Sequence, residues 1–404
     1  MKPEISEQDS RGAKMAFVKT FAKGLAIGML IVIAVGVGAV VYPLTHERKV
    51  IFQTCNLQGS RYAIGYELGK QVLEVEPHLR QAVRLNFAFA EVTDKRFGRA
   101  HKLLAEFDPG LLQEMKGFSK ATGIPFKDVV VKLSTYGFHA VAPGSCTQIA
   151  VLPERTVGHH TLVGRNYDFL DSKLFVQYRL ATVHPIKEKH TVGTALYYFG
   201  RYEGMNSDGL YVGISSAVGK GRNDDGFFFP IVVRILLDQC RNANEAIALI
   251  KRIPHQGTTN FLIADPEQAV VVEVSPPKVG IRQPANGFIV TTNHYVLPEM
   301  EAEQAFLSKN SLDRYRFASS RIEQDETVDM AKIKNVLSSH APHGVCDHEY
   351  LSLHGTLWSA AFDLDKREVY YALGAPCMND YHKIGLSGEN QKTTTVVGKL
   401  PEQF

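Results

Sequence analysis

One cysteine and a charged pair that follows it are the residues whose types and spacing could do chemistry. Cys146 comes directly after Pro143-Gly144-Ser145, at the boundary between a helical region and a series of short strands. Further on, the strand-like segment Gly164-Arg165-Asn166-Tyr167-Asp168-Phe169 carries an arginine and an aspartate three residues apart. A cysteine attacks a carbonyl as a thiolate, and a nearby cation favours that form. The pattern predicts that Cys146 is a nucleophile with Arg165 and Asp168 close to it.

A cut in the chain before Cys146 would add a base to this group. The α-amino group of a new N-terminus has a pKa of about 8, which suits a general base near neutral pH. Asp168 would then hold that amine, and Arg165 would support the thiolate or the substrate. Two ordinary interpretations stay open at this point. A cysteine beside a strand is often a small buried hydrophobe, and an Arg–Asp pair is often a surface ion pair of little energetic value.

Composition excludes several function classes. Hydrophobic residues make up 45% of the 404 residues and charged residues 22%, which is typical of a globular protein with a sizeable core. The net charge is +3, and Lys and Arg form no stripe interleaved with aromatic residues, so nucleic acid is not an expected partner.

Cysteine and histidine spacing gives no support for a metal centre. The chain has widely spaced cysteines and no Cys-x-x-Cys pair: Cys55, Cys146, Cys240, Cys346 and Cys377. The histidines near the C-terminus fit no standard helix pair: His340, His343, His348 and His354. The sequence predicts no metal and no cofactor. In an oxidising compartment Cys346 and Cys377 could form a disulfide, which the sequence leaves undecided.

The N-terminal region contains one long apolar run. Residues 24–44 are uncharged up to Tyr42, long enough to cross a bilayer as one helix, and they follow Lys14, Lys19 and Lys23. These features predict a cytoplasmic tail over residues 1–23, a single-pass signal-anchor over 24–44 and an extracytoplasmic (periplasmic or lumenal) catalytic domain. A cleaved signal peptide and a buried core helix are the alternatives.

The rest of the chain changes character at Cys146. Residues 50–145 show apolar residues three and four apart and are predicted to be mostly helical. Residues 146–388 alternate short strands, hairpins and helices, and residues 389–404 form a polar tail that is predicted to be flexible. Paired strands with segregated helices favour an α+β architecture of packed layers.

Several segments in order resemble the acyl-coenzyme A:6-aminopenicillanic acid acyltransferase family, peptidase family C45, of the Ntn-hydrolase superfamily, related to choloylglycine hydrolases, penicillin V acylases and acid ceramidase. Besides Cys146-Thr147 and Gly164–Phe169, the segments that carry this resemblance are Gly59–Gly65 with Gly69, Phe107-Asp108-Pro109, Glu114-Met115 with Gly117, Gly204–Leu210, Thr292–Tyr295, Ser311–Tyr315, His340 with Gly344–His348, Thr356–Ser359 and Gly374–Cys377.

The resemblance implies a four-layer αββα sandwich and a set of catalytic roles. Cys146 would be the nucleophile and new N-terminus, released by self-cleavage between Ser145 and Cys146, with Arg165 and Asp168 beside it. Asn293 would donate its side-chain amide to the oxyanion, and the backbone amide of Ser215 would be a second donor. The resemblance also assigns Arg314 to the polar network of the site.

The expected product is an α subunit ending at Ser145, with residues 50–145 as a helical prosegment, and a β subunit over 146–388. The expected activity is hydrolysis of a linear amide through an acyl-enzyme on a small-molecule substrate. Acyl transfer from a thioester to an amine is the first alternative. A catalytically inactive membrane-anchored binding protein is the second.

Overall fold

The computed structural model describes residues 48–75, 92–135, 145–170, 178–195, 198–340, 343–348, 354–386 and 394–400. The chain divides into two compact units, residues 49–401 and the chain ends 1–48 with 402–404. Apart from Arg48, the described residues belong to the first unit. Within them no helix is long and apolar enough to cross a membrane. The predicted membrane segment 24–44 and the tail 1–23 lie outside the described residues.

Two β-sheets form the centre of the larger unit. One sheet has nine strands in the order β10-β9-β8-β7-β6-β5-β4-β1-β15, and the other has six in the order β11-β2-β3-β12-β13-β14. The strands are β1 (Arg48–Gly59), β2 (Thr147–Val151), β3 (Leu162–Leu170), β4 (Tyr178–Pro185), β5 (Thr191–Ala195), β6 (Glu203–Asn206), β7 (Tyr211–Ser216), β8 (Thr259–Ala264), β9 (Ala269–Ser275), β10 (Lys278–Arg282), β11 (Phe288–Thr291), β12 (His354–Asp363), β13 (Glu368–Leu373), β14 (His382–Ile384) and β15 (Thr394–Leu400).

A group of helices follows β1, and further helices lie between the later hairpins. They are α1 (Arg61–Val75), α2 (Asp94–Phe107), α3 (Pro109–Thr122), α4 (Phe126–Val130), α5 (Phe229–Gln239), α6 (Ala243–Ile250), α7 (Pro298–Glu301), α8 (Lys309–Glu323) and α9 (Met330–Ser338), with a π-helical turn at Val131–Thr135 after α4. Helix α3 begins after Asp108, whose side chain accepts the N–H of Leu111, and it ends at Gly123 in the left-handed conformation.

The two sheets pack face to face and helices pack against each of them. Between the sheets, the ring of Tyr211 on β7 meets that of Phe362 on β12 with centroids 4.8 Å apart. Helices α5 and α6 pack on the nine-stranded sheet, and α8 and α9 pack on the six-stranded sheet. Most side chains of the central strands are buried, since each strand is covered on both faces. The predicted α+β layered architecture is confirmed at this level.

Both ends of the described chain contain strands that the sequence analysis did not predict. The segment predicted to be mostly helical begins with β1, which pairs in parallel with β4. The predicted flexible tail contains β15, which lies beside β1 at the edge of the nine-stranded sheet, where the hydroxyls of Thr54 and Thr394 are 2.8 Å apart. Helices α1 to α4 agree with the mostly helical prediction for the rest of the first segment, and the two strands were not predicted because they are stabilised by partners distant in sequence.

Helices α1 and α3 cross at very short range. A Cβ added to Gly65 of α1 would lie 1.8 Å from the carbonyl oxygen of Glu114, and one added to Gly117 of α3 would lie 2.1 Å from that of Tyr62. Glycine is required at both positions, because real Cβ atoms do not approach backbone atoms so closely.

Four buried charged side chains, here called the anchoring cluster, join these helices to α5. They are Arg61 of α1, Glu114 of α3, and Arg234 and Asp238 of α5. Nη1 of Arg61 lies 2.6 Å from Oε1 of Glu114 and 2.7 Å from Oδ2 of Asp238. Nη2 of Arg234 lies 2.6 Å from the same Glu114 oxygen, and its Nε lies 2.7 Å from the same Asp238 oxygen. Each carboxylate therefore contacts both guanidinium groups.

Candidate active site

Cys146 lies at the start of β2, an inner strand of the six-stranded sheet between β11 and β3. The side chain is buried, with 2% of the residue exposed. Immediately before it, the N–H of Ser145 donates to the backbone oxygen of Asp168 at 3.2 Å. The strand pairing of β2 with β3 therefore extends to the residue that precedes the cysteine and fixes the Ser145–Cys146 peptide.

Arg165 approaches the thiol from β3. Its Nη2 lies 3.8 Å from Sγ of Cys146, and its Nη1 donates to the carbonyl oxygen of Tyr202 at 2.6 Å. Its Nε lies 3.2 Å from Oε2 of Glu203. Burial raises the pKa of the Cys146 thiol, and the Arg165 cation opposes that rise. The arginine is thus held where it stabilises a thiolate that burial alone would disfavour.

Asp168 lies on the other face of the same strand. Successive side chains of a strand alternate between faces, so residues three apart point to opposite sides. Thr356 on β12 donates its hydroxyl to Oδ1 of Asp168 at 2.6 Å. Burial raises the pKa of this carboxyl to about 7, although the Arg314 cation opposes the rise. Oδ2 of Asp168 has no hydrogen-bond partner among the described residues and remains available to a donor.

Arg314 on α8 connects three parts of the site. Its Nη1 donates to the carbonyl oxygen of Cys146 at 2.6 Å and to the hydroxyl of Thr147 at 2.9 Å. Its Nη2 donates to Oδ1 of Asn293 at 3.0 Å, and its Nε donates to Oδ1 of Asn310 at 2.7 Å. The structure therefore places Arg314 against the backbone of the predicted nucleophile, Cys146, and against the predicted oxyanion donor.

Asn293 follows β11, with its position fixed from both sides. Its N–H donates to the hydroxyl of Ser311, and its Nδ2 donates to the carbonyl oxygen of Ser216 at 2.8 Å. Because Arg314 occupies Oδ1, the side-chain amide is oriented with its nitrogen toward the end of β7. An amide nitrogen carries two hydrogens, and the second makes only a long contact of 3.4 Å with the Ser216 hydroxyl, which an oxyanion could replace.

Ser215 lies on β7 as part of the polar surroundings of the site. Its hydroxyl accepts a hydrogen bond from Nε2 of Gln148 at 2.9 Å, and Gln148 pairs with Arg165 across the strands. The hydroxyl of Tyr211 donates to Oε1 of Gln148 at 2.8 Å. The role of the Ser215 backbone amide as an oxyanion donor stays a prediction.

Three buried residues of the site were missed by the sequence analysis: Gln148, Glu203 and Thr356. Glu203 accepts hydrogen bonds from Thr194, from Nε1 of Trp358 at 3.1 Å and from the hydroxyl of Tyr371 at 3.2 Å, in addition to facing Arg165. A carboxylate in a strand of otherwise apolar and small residues was the available signal for Glu203. Gln148 carried no distinct signal, because polar residues alternate with apolar ones in many strands, and Thr356 belonged to a segment that carried the family resemblance but was assigned no role.

A cavity of about 880 Å³ opens beside the site. Arg314 and Phe317 of α8 line one side, and residues 343 and 344 with Cys346, Asp347 and His348 line another. Cys146 itself is too deeply buried to line it. The sulfur atoms of Cys346 and Cys377 and Nε2 of His348 lie together at one wall, and these are the described side chains suited to hold a metal ion.

The arrangement is suited to attack on a carbonyl. The buried thiol of Cys146 has the Arg165 guanidinium beside it. Asp168 lies next to the residue before the cysteine, and the side-chain amide of Asn293 is oriented by Arg314. These groups are the parts that covalent acyl chemistry requires, namely a nucleophile, a group that favours its anion and a candidate donor to an oxyanion.

Comparison with known proteins places the chain in a family. The model of the family described as acyl-coenzyme A:6-aminopenicillanic acid acyl-transferase matches residues 155–377. This range is more than half of the chain and includes Arg165, Asp168, Asn293 and Arg314, whereas Cys146 precedes it. No curated protein matches the sequence.

Solved structures with a similar arrangement share little sequence with this chain. A variant of the conjugated bile acid hydrolase from Clostridium perfringens is 14% identical, covering 64% of this chain and 99% of its own, with a TM-score of 0.45. The N-acylethanolamine-hydrolyzing acid amidase ortholog of Caenorhabditis elegans is 15% identical, covering 54% and 93%, with a TM-score of 0.41. Penicillin V acylase from Agrobacterium tumefaciens is 14% identical, covering 62% and 90%, with a TM-score of 0.41.

The family match extends over the strands and helices that position Arg165, Asp168, Asn293 and Arg314, and it confirms the resemblance found in the sequence. The chain therefore belongs to the acyl-coenzyme A:6-aminopenicillanic acid acyl-transferase family.

Proposed function

We propose that this protein is an amidohydrolase with an N-terminal cysteine nucleophile, activated when the precursor cuts itself between Ser145 and Cys146. One observation carries the proposal: the Ser145–Cys146 peptide is held on both sides beside a guanidinium. The N–H of Ser145 is bound to Asp168, the carbonyl of Cys146 is bound to Arg314, and Nη2 of Arg165 lies 3.8 Å from Sγ. A backbone held in this way limits the motions that would take the thiol away from the preceding carbonyl.

Self-cleavage needs water as its one added reagent. Sγ of Cys146 attacks the carbonyl carbon of Ser145, the C–N bond breaks, and the thiol proton passes to the departing nitrogen. Water then hydrolyses the thioester. The products are a carboxylate on Ser145 and a thiol and free amine on Cys146.

In the mature protein the new amine acts as the general base. It takes the thiol proton of Cys146 and later gives a proton to the leaving amine of the substrate. Oδ2 of Asp168 is available to accept from that amine, and Arg165 favours the thiolate. Asn293, with the backbone amide of Ser215 as the second donor, stabilises the oxyanion of an acyl amide. Water then releases the acyl group from the cysteine.

The two subunits remain together after cleavage because elements from both sides of the cut share one fold. Strand β1, which precedes the cut, lies between β4 and β15, which follow it. The anchoring cluster adds Arg61 and Glu114 from one side and Arg234 and Asp238 from the other. Both features support an α subunit that stays bound to the β subunit.

Intact mass and N-terminal sequencing of the purified full-length chain test this proposal. We expect a fragment beginning at Cys146 in the wild type and none in Cys146→Ala. Cys240→Ala is the matched control, because Cys240 is buried to a similar degree and the charged groups that act on its thiol are Glu245 and Lys189. This variant should cleave itself normally. A wild-type chain that stays whole after prolonged incubation would contradict self-cleavage. Amide turnover by Cys146→Ala would contradict the nucleophile assignment.

Acyl transfer from a thioester to an amine is the second candidate, and the name of the family supports it. The same acyl-enzyme serves both reactions, so the acceptor decides the outcome. Product analysis with and without an added amine separates them: an amide product that increases with amine concentration identifies a transferase.

A catalytically inactive binding protein is the third candidate, and failure of a thiol-reactive amide mimic to label Cys146 would favour it.

For the N-terminal region we propose a single-pass anchor over residues 24–44 with the catalytic unit on the extracytoplasmic side. The uncharged run and the preceding lysines Lys14, Lys19 and Lys23 support this assignment. Membranes from cells producing the full-length chain should retain it after alkaline extraction, and release into the supernatant would contradict the anchor.

A further inference from the structure

Three potential metal ligands converge from two separate segments at the wall of the cavity. Sγ of Cys346 lies 3.8 Å from Sγ of Cys377, and Nε2 of His348 lies 3.3 Å from the first sulfur and 3.2 Å from the second. Cys346 is buried, and the other two are half-buried. The sequence analysis assigned no metal, because the chain has no Cys-x-x-Cys pair and its later histidines fit no standard helix pair.

These distances agree with ligands on one tetrahedral zinc ion. With Zn–S bonds of about 2.3 Å and a tetrahedral angle, two sulfur ligands lie about 3.8 Å apart. A sulfur and an imidazole nitrogen at about 2.0–2.1 Å from the ion lie about 3.5 Å apart, slightly more than the two S···N distances here. We propose that Cys346, His348 and Cys377 bind a zinc ion, an activity separate from the amide chemistry of Cys146.

Backbone contacts hold both ligand segments in place. The carbonyl of Ser339 accepts the N–H groups of Val345 and Cys346 at 2.8 and 2.9 Å. The hydroxyl of Ser338 donates to the carbonyl oxygen of Pro376 at 3.1 Å, next to Cys377. The end of α9 thus fixes both segments, so the ligands are brought together by the fold, and little ordering remains for the ion to impose.

The charge balance and the surroundings also favour a zinc ion. Two thiolates, from Cys346 and Cys377, would neutralise the charge of Zn²⁺. The ring of His340 stacks on that of His348 with centroids 4.9 Å apart, so it offers a further imidazole for the fourth position. A structural zinc site commonly has four protein ligands of these types.

The site is connected to the catalytic residues through Asp347, the residue between two of the ligands. Its N–H donates to the hydroxyl of Thr356 at 2.8 Å, and its carbonyl accepts the N–H of Thr356 at 2.9 Å. The same hydroxyl donates to Asp168. The ion would therefore fix the position of Thr356, and the role we assign to it is structural.

The test measures the metal content of the full-length protein, purified without added chelator, by elemental analysis. We expect about one zinc per chain in the wild type and in Cys240→Ser, and at least about a ten-fold lower content in Cys377→Ser and His348→Ala. A wild type that lacks zinc even after incubation with zinc salt overturns the proposal. Unchanged zinc in both ligand variants overturns it as well.

A second measurement uses only wild-type protein, in case the variants do not fold. Cobalt exchanged into the site should give the thiolate-to-metal charge-transfer absorption of a cysteine-bound ion, and its absence overturns the proposal. A disulfide between Cys346 and Cys377 is the competing arrangement, and counting the reactive thiols of the denatured, unreduced chain tests it. All five cysteines should react. A disulfide between Cys346 and Cys377 in the purified chain overturns the zinc assignment. Self-cleavage is read separately by mass, so the two proposals can fail independently.

Discussion

Two buried groups of charges in this protein differ in how completely they are paired. In the anchoring cluster each carboxylate contacts two guanidinium groups at 2.6–2.7 Å. The second group, here called the site cluster, consists of Cys146, Arg165, Asp168, Asn293 and Arg314. Within it, Arg314 is the arginine that opposes the effect of burial on Asp168, and Arg165 contacts a thiol whose pKa is raised by burial.

The same burial has opposite consequences for one carboxyl in each cluster. Burial alone would raise the pKa of Asp238, but Arg234 and Arg61 lower it below the ordinary value. Burial raises the pKa of Asp168 to about 7, and one opposing arginine does not offset it. A buried carboxylate that contacts two guanidinium groups stays ionised and stabilises the structure, whereas one whose burial is only partly offset can exchange protons near neutral pH. The comparison assigns stability to one cluster and chemistry to the other.

Glu114→Gln should produce the largest loss of stability. The change leaves Arg61 and Arg234 buried with only part of their compensating charge, and breaking a buried ion pair in this way costs about 3–5 kcal/mol. The urea midpoint of unfolding should fall accordingly, while the rate of self-cleavage per folded molecule should stay close to that of the wild type. Asp94→Asn is the control, because it breaks the exposed pair with Lys127 and should leave the midpoint unchanged. Equal shifts in the two variants would contradict the role of the cluster.

Asn293→Ala should have the next largest effect, on activity. Loss of one oxyanion donor lowers the turnover number about 100- to 1000-fold. Asn310→Ala is the matched control, since both asparagines accept a hydrogen bond from Arg314, at 3.0 and 2.7 Å. The control should lose much less turnover of an acyl-amide reporter. Similar losses in both variants would mean that Asn293 acts by holding Arg314, and the oxyanion role would be abandoned.

How far the sequence predicted the site can be traced to particular residues. The local spacing of Arg165 and Asp168 indicated a strand with both residues near Cys146, and the structure has them there. The resemblance to a family supplied Asn293 and Arg314. Arg314 lies on α8 and contacts the backbone of Cys146, which is far away in the sequence. Strand residues three apart point to opposite faces, so the spacing also implied that Arg165 and Asp168 approach Cys146 from different sides, a consequence that the sequence analysis did not draw.

Other features depend on contacts that no local pattern encodes. Glu203 becomes the partner of Arg165 only when the two sheets pack together. Strand β15 lies in the segment predicted to be a flexible tail, and it pairs with β1, far away in the chain. Cys377 lies far in sequence from Cys346 and His348, so the three ligands could be recognised as a group only in the folded structure.

The pH dependence of stability gives the smallest of these effects and concerns Asp108, beside the anchoring cluster. Burial, followed by the charge of Asp238, raises the pKa of Asp108 to about 7, whereas an unfolded aspartate has a pKa of about 3.9. Between these values the unfolded chain releases its proton and the folded chain keeps it. The contribution of Asp108 to stability is therefore present below pH 4 and is lost as the pH rises toward 7, by about 1.4 kcal/mol per unit.

Asp108→Asn removes this titration and keeps a side chain that can cap α3. We expect the difference in unfolding free energy between the variant and the wild type to change by about 2–3 kcal/mol in favour of the variant from pH 5 to pH 7. Urea unfolding at pH 5, 6 and 7 measures it. Asp313→Asn is the control, because Lys309 lowers the pKa of this exposed carboxyl. The difference in unfolding free energy between this variant and the wild type should therefore stay constant from pH 5 to pH 7. If the unfolding free energies of Asp108→Asn and the wild type change in parallel with pH, Asp108 is ionised in the folded protein. Its carboxylate would then be a further charged member of the anchoring cluster.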